Sequence, residues 1–253
     1  MPCSWFRLPR DYAEQTHASP YLIVRYPHRE RYRRAVEAAT ELNPESLLDY
    51  GGGDGYFVVE LCRKAAQPPK RVVLYEPAAS MADLAERGIA DVPGHINVMV
   101  VRDPRELAAE SFDAITCLGV LEHLPLVERY AFYDTVGRTL RANGRCVIDV
   151  PVEVGPGLLI KHLARRLLKG RTPEVTAGEL IGRMGGAAVF DPARFDPTVH
   201  DWIHFHAGFD YRILAKELAS RFQVVRSFGT PLRFLPPILG NQEAFFVVTT
   251  SRA

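Results

Sequence analysis

A short apolar segment that runs directly into a glycine-rich turn is the feature that most restricts the fold of this chain. Residues 46–50 have the composition of a buried strand, and the sequence GGGDG follows at once at residues 51–55. Residues 56–66 then carry the apolar spacing of a helix. Glycines between a strand and a helix allow a tight turn and let a ligand reach bare backbone. The chain is therefore predicted to contain an open α/β sheet with a ligand site at the carboxyl end of its first strand.

The spacing of these glycines distinguishes between two kinds of nucleotide site. The dinucleotide fingerprint is G-x-G-x-x-G, but its last position falls on Tyr56 when counted from Gly51 and on Val58 when counted from Gly53. An NAD(P)-dependent oxidoreductase is therefore disfavoured. The pattern that does fit is an acidic residue followed by alternating glycines, formed by Asp49, Gly51, Gly53 and Gly55.

Strand-like and helix-like segments alternate along the chain, which predicts a mostly parallel sheet with helices on both faces. Seven strands are predicted, and the short connection between the last two predicts one antiparallel strand in the edge region of the sheet. A single domain of residues 1–253 is expected, with an insertion after the fifth strand that is either a lid and acceptor region or decorative surface packing. The predicted parts are a helical N-terminal cap at 1–45, a ligand-binding core at 46–150, the insertion at 151–206, and a helix with two strands at 207–253.

The sequence around the first turn resembles the first motif of the class I S-adenosylmethionine-dependent methyltransferases, of the small-molecule type. Further segments resemble this family in the same order: Glu76 after the second strand, SFDAI at residues 111–115, GVLEHL at 119–124 and RTLRANGR at 138–145. The resemblance extends through about residue 150. It implies a Rossmann-like class I fold whose core binds S-adenosylmethionine and releases S-adenosylhomocysteine.

The resemblance also implies roles for individual acids. Glu76 would accept hydrogen bonds from the ribose hydroxyls, Asp103 would meet the adenine amine, and Asp49 would order the glycine turn and face the methionine amino group. The alternatives are a solvated acid at Glu76 and a simple ion pair of Asp103 with Arg102 or Arg105. The predicted cofactor-binding residues are Asp49, Gly51, Gly53, Gly55, Glu76, Pro77, Asp103, Leu118 and Gly119.

Histidines are the candidate bases for an acceptor that carries a proton, as a hydroxyl does. His123 follows the fourth strand, where packing against the next helix is the alternative role. His204 and His206 precede a predicted helix, where acceptor contacts are expected and a zinc site or ordinary packing are the alternatives. The ubiquinone-type O-methyltransferases carry E-x-x-E-H after the fourth strand, with a metal role, but Gly119 replaces the first glutamate here. No metal is therefore predicted.

Taken together, these features predict methyl transfer from S-adenosylmethionine to an oxygen of a small-molecule or lipid-linked acceptor. The alternatives are a non-catalytic S-adenosylmethionine-binding regulatory subunit and an RNA methyltransferase. A net charge of +1 does not indicate a nucleic-acid partner. The basic amphipathic stretch at residues 157–171 predicts either a lid helix or a peripheral contact with an anionic membrane surface. The chain starts without a secretory signal and its four cysteines lack metal-ligand spacing, so a cytoplasmic location is expected.

Overall fold

The computed structural model describes residues 22–159, 177–187, 194, 196–200, 202–204, 206 and 209–250. The first 21 residues of the predicted cap lie outside the described residues, and so does most of the stretch 157–171 for which a lid or a membrane contact is predicted. None of the helices in the described part of the chain is long and apolar enough to cross a membrane.

Seven strands form one mixed sheet. They are β1 (Ser46–Tyr50), β2 (Arg71–Tyr75), β3 (Asn97–Val101), β4 (Phe112–Leu118), β5 (Leu140–Pro151), β6 (Gln223–Thr230) and β7 (Glu243–Thr249). Their order across the sheet is β3-β2-β1-β4-β5-β7-β6. Only β7 runs against its neighbours, pairing antiparallel with both β5 and β6. This confirms the predicted Rossmann-like class I fold with one reversed strand in the edge region.

Six α-helices occur among the described residues. They are α1 (Leu22–Thr40), α2 (Tyr56–Lys64), α3 (Ala79–Gly88), α4 (Leu126–Thr139), α5 (Ala177–Met184) and α6 (Tyr211–Arg221). The sequence predicts that the first helix starts at residue 28, but α1 starts earlier and contains Pro27. Packing of its buried face against the sheet stabilises the helix beyond the local stop signal.

Strand β5 also begins earlier than expected. The sequence predicts a turn at Asn143-Gly144 and a strand from residue 145, but Leu140 already pairs with Phe112 of β4. The register then shifts before Ala114 pairs with Arg145, so the residues of the predicted turn form an irregularity within the strand. Pairing with a long neighbouring strand therefore outweighs the local turn signal.

Two hydrophobic cores lie on opposite faces of the sheet. Leu47 and Leu48 are consecutive in β1 and belong to different cores, as the two-residue period of a strand requires. The core around Leu47 includes Ala35 of α1, and the core around Leu48 includes Phe132 of α4. Strand order reverses between β1 and β4, so the carboxyl ends of these strands form the crevice in which ligands of such sheets bind.

Candidate active site

The turn between β1 and α2 requires glycine for two separate reasons. Gly51, Gly53 and Gly55 have φ angles of 74°, 57° and 79°, which residues with a side chain rarely adopt. At Gly52 an added Cβ would lie 2.5 Å from a leucine side chain of β2. The amides of Gly51 and Gly52 donate hydrogen bonds to the Tyr75 carbonyl at 2.8 and 3.1 Å, which holds the turn against the end of β2.

Glu76 connects the glycine turn to the segment that follows β2. Its buried carboxylate accepts hydrogen bonds from the Gly53 amide at 3.0 Å and from the Ala78 amide at 2.9 Å, one at each oxygen. Each oxygen retains a further acceptor position, so the group can still accept hydrogen bonds from a diol. Pro77 follows at the surface. This arrangement is what the predicted ribose-binding role of Glu76 requires.

Asp49 offers one carboxylate oxygen with no partner. Its side chain is buried, and Oδ1 accepts a hydrogen bond from the Thr116 hydroxyl at 2.6 Å, whereas Oδ2 has no hydrogen-bond partner. Burial raises the pKa of Asp49 to about 7. A buried, unpaired carboxylate oxygen is costly unless a ligand supplies a donor or a positive charge. The methionine ammonium of S-adenosylmethionine supplies both, so the residues present fit that cofactor.

Asp103 lies at the carboxyl end of β3 and caps the 3₁₀ turn Pro104–Leu107. Its carboxylate is paired with the Arg105 guanidinium at 2.5 Å, at the protein surface. Hydrogen bonds from Arg105 lower the pKa of Asp103 to about 2. The ion pair is the alternative that the sequence left open, and the predicted contact with an adenine amine stays a prediction.

A buried ion pair closes the crevice beside the end of β4. Arg31 of α1 binds Asp149 of β5 through two hydrogen bonds, with Nε 2.5 Å from Oδ2 and Nη2 2.8 Å from Oδ1. The guanidinium passes over Gly119, where an added Cβ would lie 2.5 Å from Nη2. Gly119 follows Leu118, has a φ angle of 66°, and donates its amide to the Asp149 carbonyl at 3.1 Å. The glycine at this position therefore makes room for the arginine.

The predicted base His123 lies in the 3₁₀ turn Leu121–His123, directly after β4. Its Nδ1 is 2.6 Å from the Ile203 carbonyl oxygen, and the Ile203 amide donates to the His123 carbonyl at 2.8 Å. The Trp202 ring stacks on the imidazole with a centroid separation of 4.5 Å. These contacts bring the segment around residue 203 to the carboxyl end of β4.

His206 joins His123 at this place, whereas His204 does not join the cluster. The ring centroids of His123 and His206 are 5.0 Å apart. Potential ligand atoms of Glu122, His123 and His206 all lie within 4.8 Å of one another. The Glu153 carboxylate, just beyond β5, is 3.9 Å from Nδ1 of His206. His204 is exposed to solvent and lies outside this cluster of atoms, but it is near enough to His123 to contribute to the lowering of that residue's pKa.

Burial determines the protonation states of His123 and Glu122 in the turn after β4. It lowers the pKa of His123 to about 4, so the imidazole is neutral at pH 7. The contact from Nδ1 to a carbonyl oxygen requires the proton to sit on Nδ1, which leaves the lone pair on Nε2. Burial also raises the pKa of Glu122 well above its usual range. The site thus combines a neutral imidazole with a carboxyl group that has lost its solvation.

Two residues of this site were missed by the sequence analysis. Arg31 shares a helix face with Ala35 and Ala38, which are buried, so a cation on an apolar helix face was the available signal. Glu153 lies two residues after the end of β5, where the parallel strands of such a sheet deliver functional groups. The sequence places this position within the predicted insertion at residues 151–206, for which no individual acid was assigned a role.

Comparison with known proteins agrees with this geometry. The profile of a family described as "Methyltransferase domain" matches residues 24–178. The chain belongs to this methyltransferase family. Its fold is the class I fold, and its cofactor is S-adenosylmethionine.

The curated relatives of this methyltransferase match only part of the chain. A ubiquinone biosynthesis O-methyltransferase of Neisseria meningitidis serogroup C is 28% identical over 92 residues. That match covers 36% of this chain and 38% of the relative, so the chain spans well under half the length of the curated relatives that it matches.

Solved structures extend the similarity to most of the chain. The PH0226 protein of Pyrococcus horikoshii superposes with a TM-score of 0.59 and 15% identity, covering 94% of this chain and 96% of that one. The magnesium protoporphyrin IX methyltransferase of Synechocystis, with bound S-adenosylhomocysteine, gives a TM-score of 0.56 and 16% identity, covering 90% and 85%. At such identities the likeness shows the fold alone.

Proposed function

We propose that this chain transfers a methyl group from S-adenosylmethionine to an oxygen atom of a small-molecule or lipid-linked acceptor. The observation that carries the proposal is the pair of imidazoles, His123 and His206, at the carboxyl end of β4. A hydroxyl becomes a good nucleophile when it loses its proton. A neutral imidazole beside the hydroxyl can accept that proton. His123 is neutral at pH 7 and its lone pair is on Nε2, so this nitrogen can accept a hydrogen bond from the hydroxyl of an acceptor.

The remaining residues of the crevice would bind and orient the cofactor. When bound, S-adenosylmethionine supplies a methyl group that is already activated for in-line attack. Asp49 would accept the ammonium group with its unpaired Oδ2, and Glu76 would accept the ribose hydroxyls. Much of the rate enhancement in such a reaction can come from positioning and from exclusion of water.

An apolar rim beside the crevice supports an apolar or lipid-linked acceptor. Three segments meet there: Gly155 donates its amide to the Arg183 carbonyl, and Ile238 lies against both Gly155 and Gly186. Large hydrophobic side chains remain exposed on these segments. They are Leu159, Ile181, Phe234 and Leu239. The name of the Neisseria relative, a ubiquinone biosynthesis O-methyltransferase, also supports a hydroxyl acceptor of this kind.

The cytoplasm is the proposed location of the reaction. The three cysteines of the described residues, Cys62, Cys117 and Cys146, are free and buried, and free thiols are typical of reducing compartments. Peripheral contact with a membrane through residues 157–171 remains part of the proposal for a lipid-linked acceptor.

Calorimetric titration tests the cofactor site first. Wild-type protein, Glu76→Ala and the exposed control Glu106→Ala are each titrated with S-adenosylhomocysteine and with NAD. We expect wild type and the control to bind S-adenosylhomocysteine with micromolar affinity, and Glu76→Ala to lose about two orders of magnitude, because two charge-assisted hydrogen bonds disappear. Preference for NAD would contradict the assignment of the glycine turn.

Acceptor chemistry is tested with isotopically labelled methyl donor. Phenols, catechols, polyprenylated phenols, amines and total RNA are offered separately, and the labelled product is identified by mass spectrometry. We expect label on hydroxyl oxygen, with the polyprenylated phenols preferred. Label on amines or RNA alone would overturn the proposed acceptor, and cofactor binding without any transfer would favour the regulatory subunit instead.

A further inference from the structure

Helix α5 buries an arginine and exposes an isoleucine, which is the reverse of the usual arrangement at a protein surface. Arg183 is 6% exposed, whereas Ile181, two residues earlier in the same helix, is 69% exposed. A surface helix ordinarily packs its apolar side chains inward and leaves its long charged side chains in water. The orientation of α5 therefore requires a reason for an interior cation and an exterior apolar side chain.

The buried guanidinium of Arg183 has no counter-charge. Its Nε has no hydrogen-bond partner, and no carboxylate in the described part of the chain forms an ion pair with it. Arginine stays charged in proteins, so it cannot avoid this situation by losing a proton. An ionised group that is out of water and unpaired is strongly disfavoured. An anion bound beside the guanidinium would remove this cost.

The other buried arginines show how this chain normally satisfies such a group. Three more arginines are buried among the described residues, and each has a hydrogen-bonding partner. They are Arg31, which pairs with Asp149, Arg129, which pairs with Glu217, and Arg194, which donates to the Glu122 carbonyl. An unsatisfied guanidinium is therefore not a general property of this fold, and the position of Arg183 calls for a partner from outside the chain.

The end of α5 is bonded to the strand end beside the histidine pair. The Arg183 carbonyl accepts a hydrogen bond from the Gly155 amide at 2.6 Å. Gly155 follows β5 and lies two residues after Glu153, whose carboxylate is 3.9 Å from Nδ1 of His206. A ligand held by Arg183 would therefore be anchored on a segment that is one short step along the chain from the candidate base.

The surroundings of α5 favour an anion that carries an apolar body. Arg212 donates to the Gly186 carbonyl at 2.8 Å, but Asp210 neutralises its charge at 2.6 Å. The neighbouring segments expose the large apolar side chains of Phe234 and Leu239. A guanidinium matches the geometry of a phosphate or carboxylate group, and exposed apolar side chains gain stability by covering a hydrocarbon body.

We propose that Arg183 binds a phosphate or carboxylate group on an apolar small molecule, and that this molecule is the methyl acceptor. The acceptor would then carry an acidic group in addition to its hydroxyl. Its role as acceptor rests on the proposed function, whereas binding of the acid does not.

Binding is measured on the whole chain by calorimetric titration with octyl phosphate, octanoate, octanol and inorganic phosphate, each below the concentration at which it aggregates. We expect octyl phosphate or octanoate to bind at least about tenfold more tightly than octanol and inorganic phosphate, and the preferred acid identifies the group. Arg183→Met should lose this preference. The matched control Arg87→Met removes an exposed arginine from the last turn of α3 and should not change it.

Thermal unfolding without ligand distinguishes a binding role of Arg183 from a structural one. Because the variant Arg183→Met removes an uncompensated buried charge, we expect it to melt about 2–4 °C above wild type. A structural arginine would give the opposite sign, since its loss removes stabilising contacts. Arg87→Met should melt close to wild type.

Methyl transfer supplies a third measurement, with acceptors offered with and without an acidic group. Arg183→Met should raise KM for the acidic acceptor about tenfold or more and leave kcat nearly unchanged, because the arginine binds a group remote from the reacting atoms. KM for the neutral acceptor should not change.

The proposal is overturned if wild type binds neither acid more tightly than octanol, if Arg183→Met binds both acids as wild type does, or if Arg183→Met melts below wild type. S-adenosylhomocysteine binding, measured on the same samples, separates these failures from a failure of the proposed function. A wild-type protein that binds the homocysteine compound but neither acid keeps its cofactor site and loses only the Arg183 site.

Discussion

At the scale of single residues, two glycines offer a matched test of how crowded the crevice is. A Cβ at Gly119 would lie 2.5 Å from Arg31 Nη2, on a backbone with a φ angle of 66°. At Gly137, exposed in α4, an added Cβ meets nothing within 4 Å. We expect Gly119→Ala to lower the free energy of unfolding by about 1–3 kcal/mol, and Gly137→Ala to raise it by about 0.5–1 kcal/mol. Denaturation in urea measures both, and a stabilising Gly119→Ala would contradict the structure.

The sequence predicts candidate site residues where a polar side chain or a glycine stands directly at the end of a strand. Asp49, Glu76 and the glycines of the turn lie where strands end, and their short-range pattern required no knowledge of the rest of the chain. Arg31 and Glu153 were not found, because their roles arise from contacts across long sequence separations. Arg31 becomes part of the crevice only when α1 packs beside β5, which is 118 residues away at Asp149.

At the scale of elements, the Arg31–Asp149 pair fixes α1 to β5 in the interior of the protein. We expect Arg31→Met to lower the free energy of unfolding by about 3–5 kcal/mol, because Asp149 is then left buried and unpaired. Replacing both partners, as Arg31→Met with Asp149→Leu, should recover part of the loss. The measurement is a double-mutant cycle by chemical denaturation.

The control for that cycle lies on the same helix. Arg33 pairs with Glu30 and Glu37, but its side chain is 48% exposed, and exposed pairs contribute little because water screens them. Arg33→Met should therefore change the free energy of unfolding by less than about 1 kcal/mol. Equal losses for Arg31→Met and Arg33→Met would show that the buried pair does not anchor α1.

Element types were predicted well, and element boundaries less so. Alternation of apolar runs and helical spacing identified all seven strands. The five inner strands are mostly buried, whereas the edge strands β3 and β6 alternate between exposed and half-buried residues over most of their length. The two boundary errors have a common cause. Pro27 and Asn143-Gly144 are strong local stop signals, yet α1 continues through the first and β5 through the second. Packing against the sheet and pairing with β4 provide the stabilisation that local propensity lacks.

At the scale of the whole molecule, the crevice is assembled from segments that follow β1, β2, β4 and β5, together with the segment before α6. Parallel topology explains why the first four lie at one edge of the sheet, where the sequence predicts the ligand site at the end of β1. The sequence named His123, His204 and His206 as candidate bases, but it did not show that Ile203 contacts His123, because that contact joins positions 80 residues apart. A histidine pair formed in this way is visible only in the folded chain.

Protonation of Asp49 links the stability of the whole molecule to cofactor binding, and it predicts an opposite pH dependence for the two. The pKa of Asp49 is about 7 in the folded protein, against an ordinary value of 3.8. Between these values the folded state keeps a proton that the unfolded state loses. The stabilisation is therefore complete below about pH 4 and is lost as the pH rises toward 7, at up to about 1.4 kcal/mol for each pH unit.

Replacing Asp49 with asparagine separates the two effects. We expect Asp49→Asn to raise the melting temperature of the ligand-free protein at about pH 8, and to change it little at about pH 4. Cofactor binding should respond in the opposite direction, because the ammonium group requires the ionised carboxylate. Wild-type affinity for S-adenosylhomocysteine should rise up to about tenfold per pH unit and level off above pH 7, whereas the variant binds weakly at every pH. A wild-type affinity that is independent of pH would mean that Asp49 does not hold the ammonium group. In that case, the raised pKa of Asp49 would be a property of the fold and would have no part in cofactor binding.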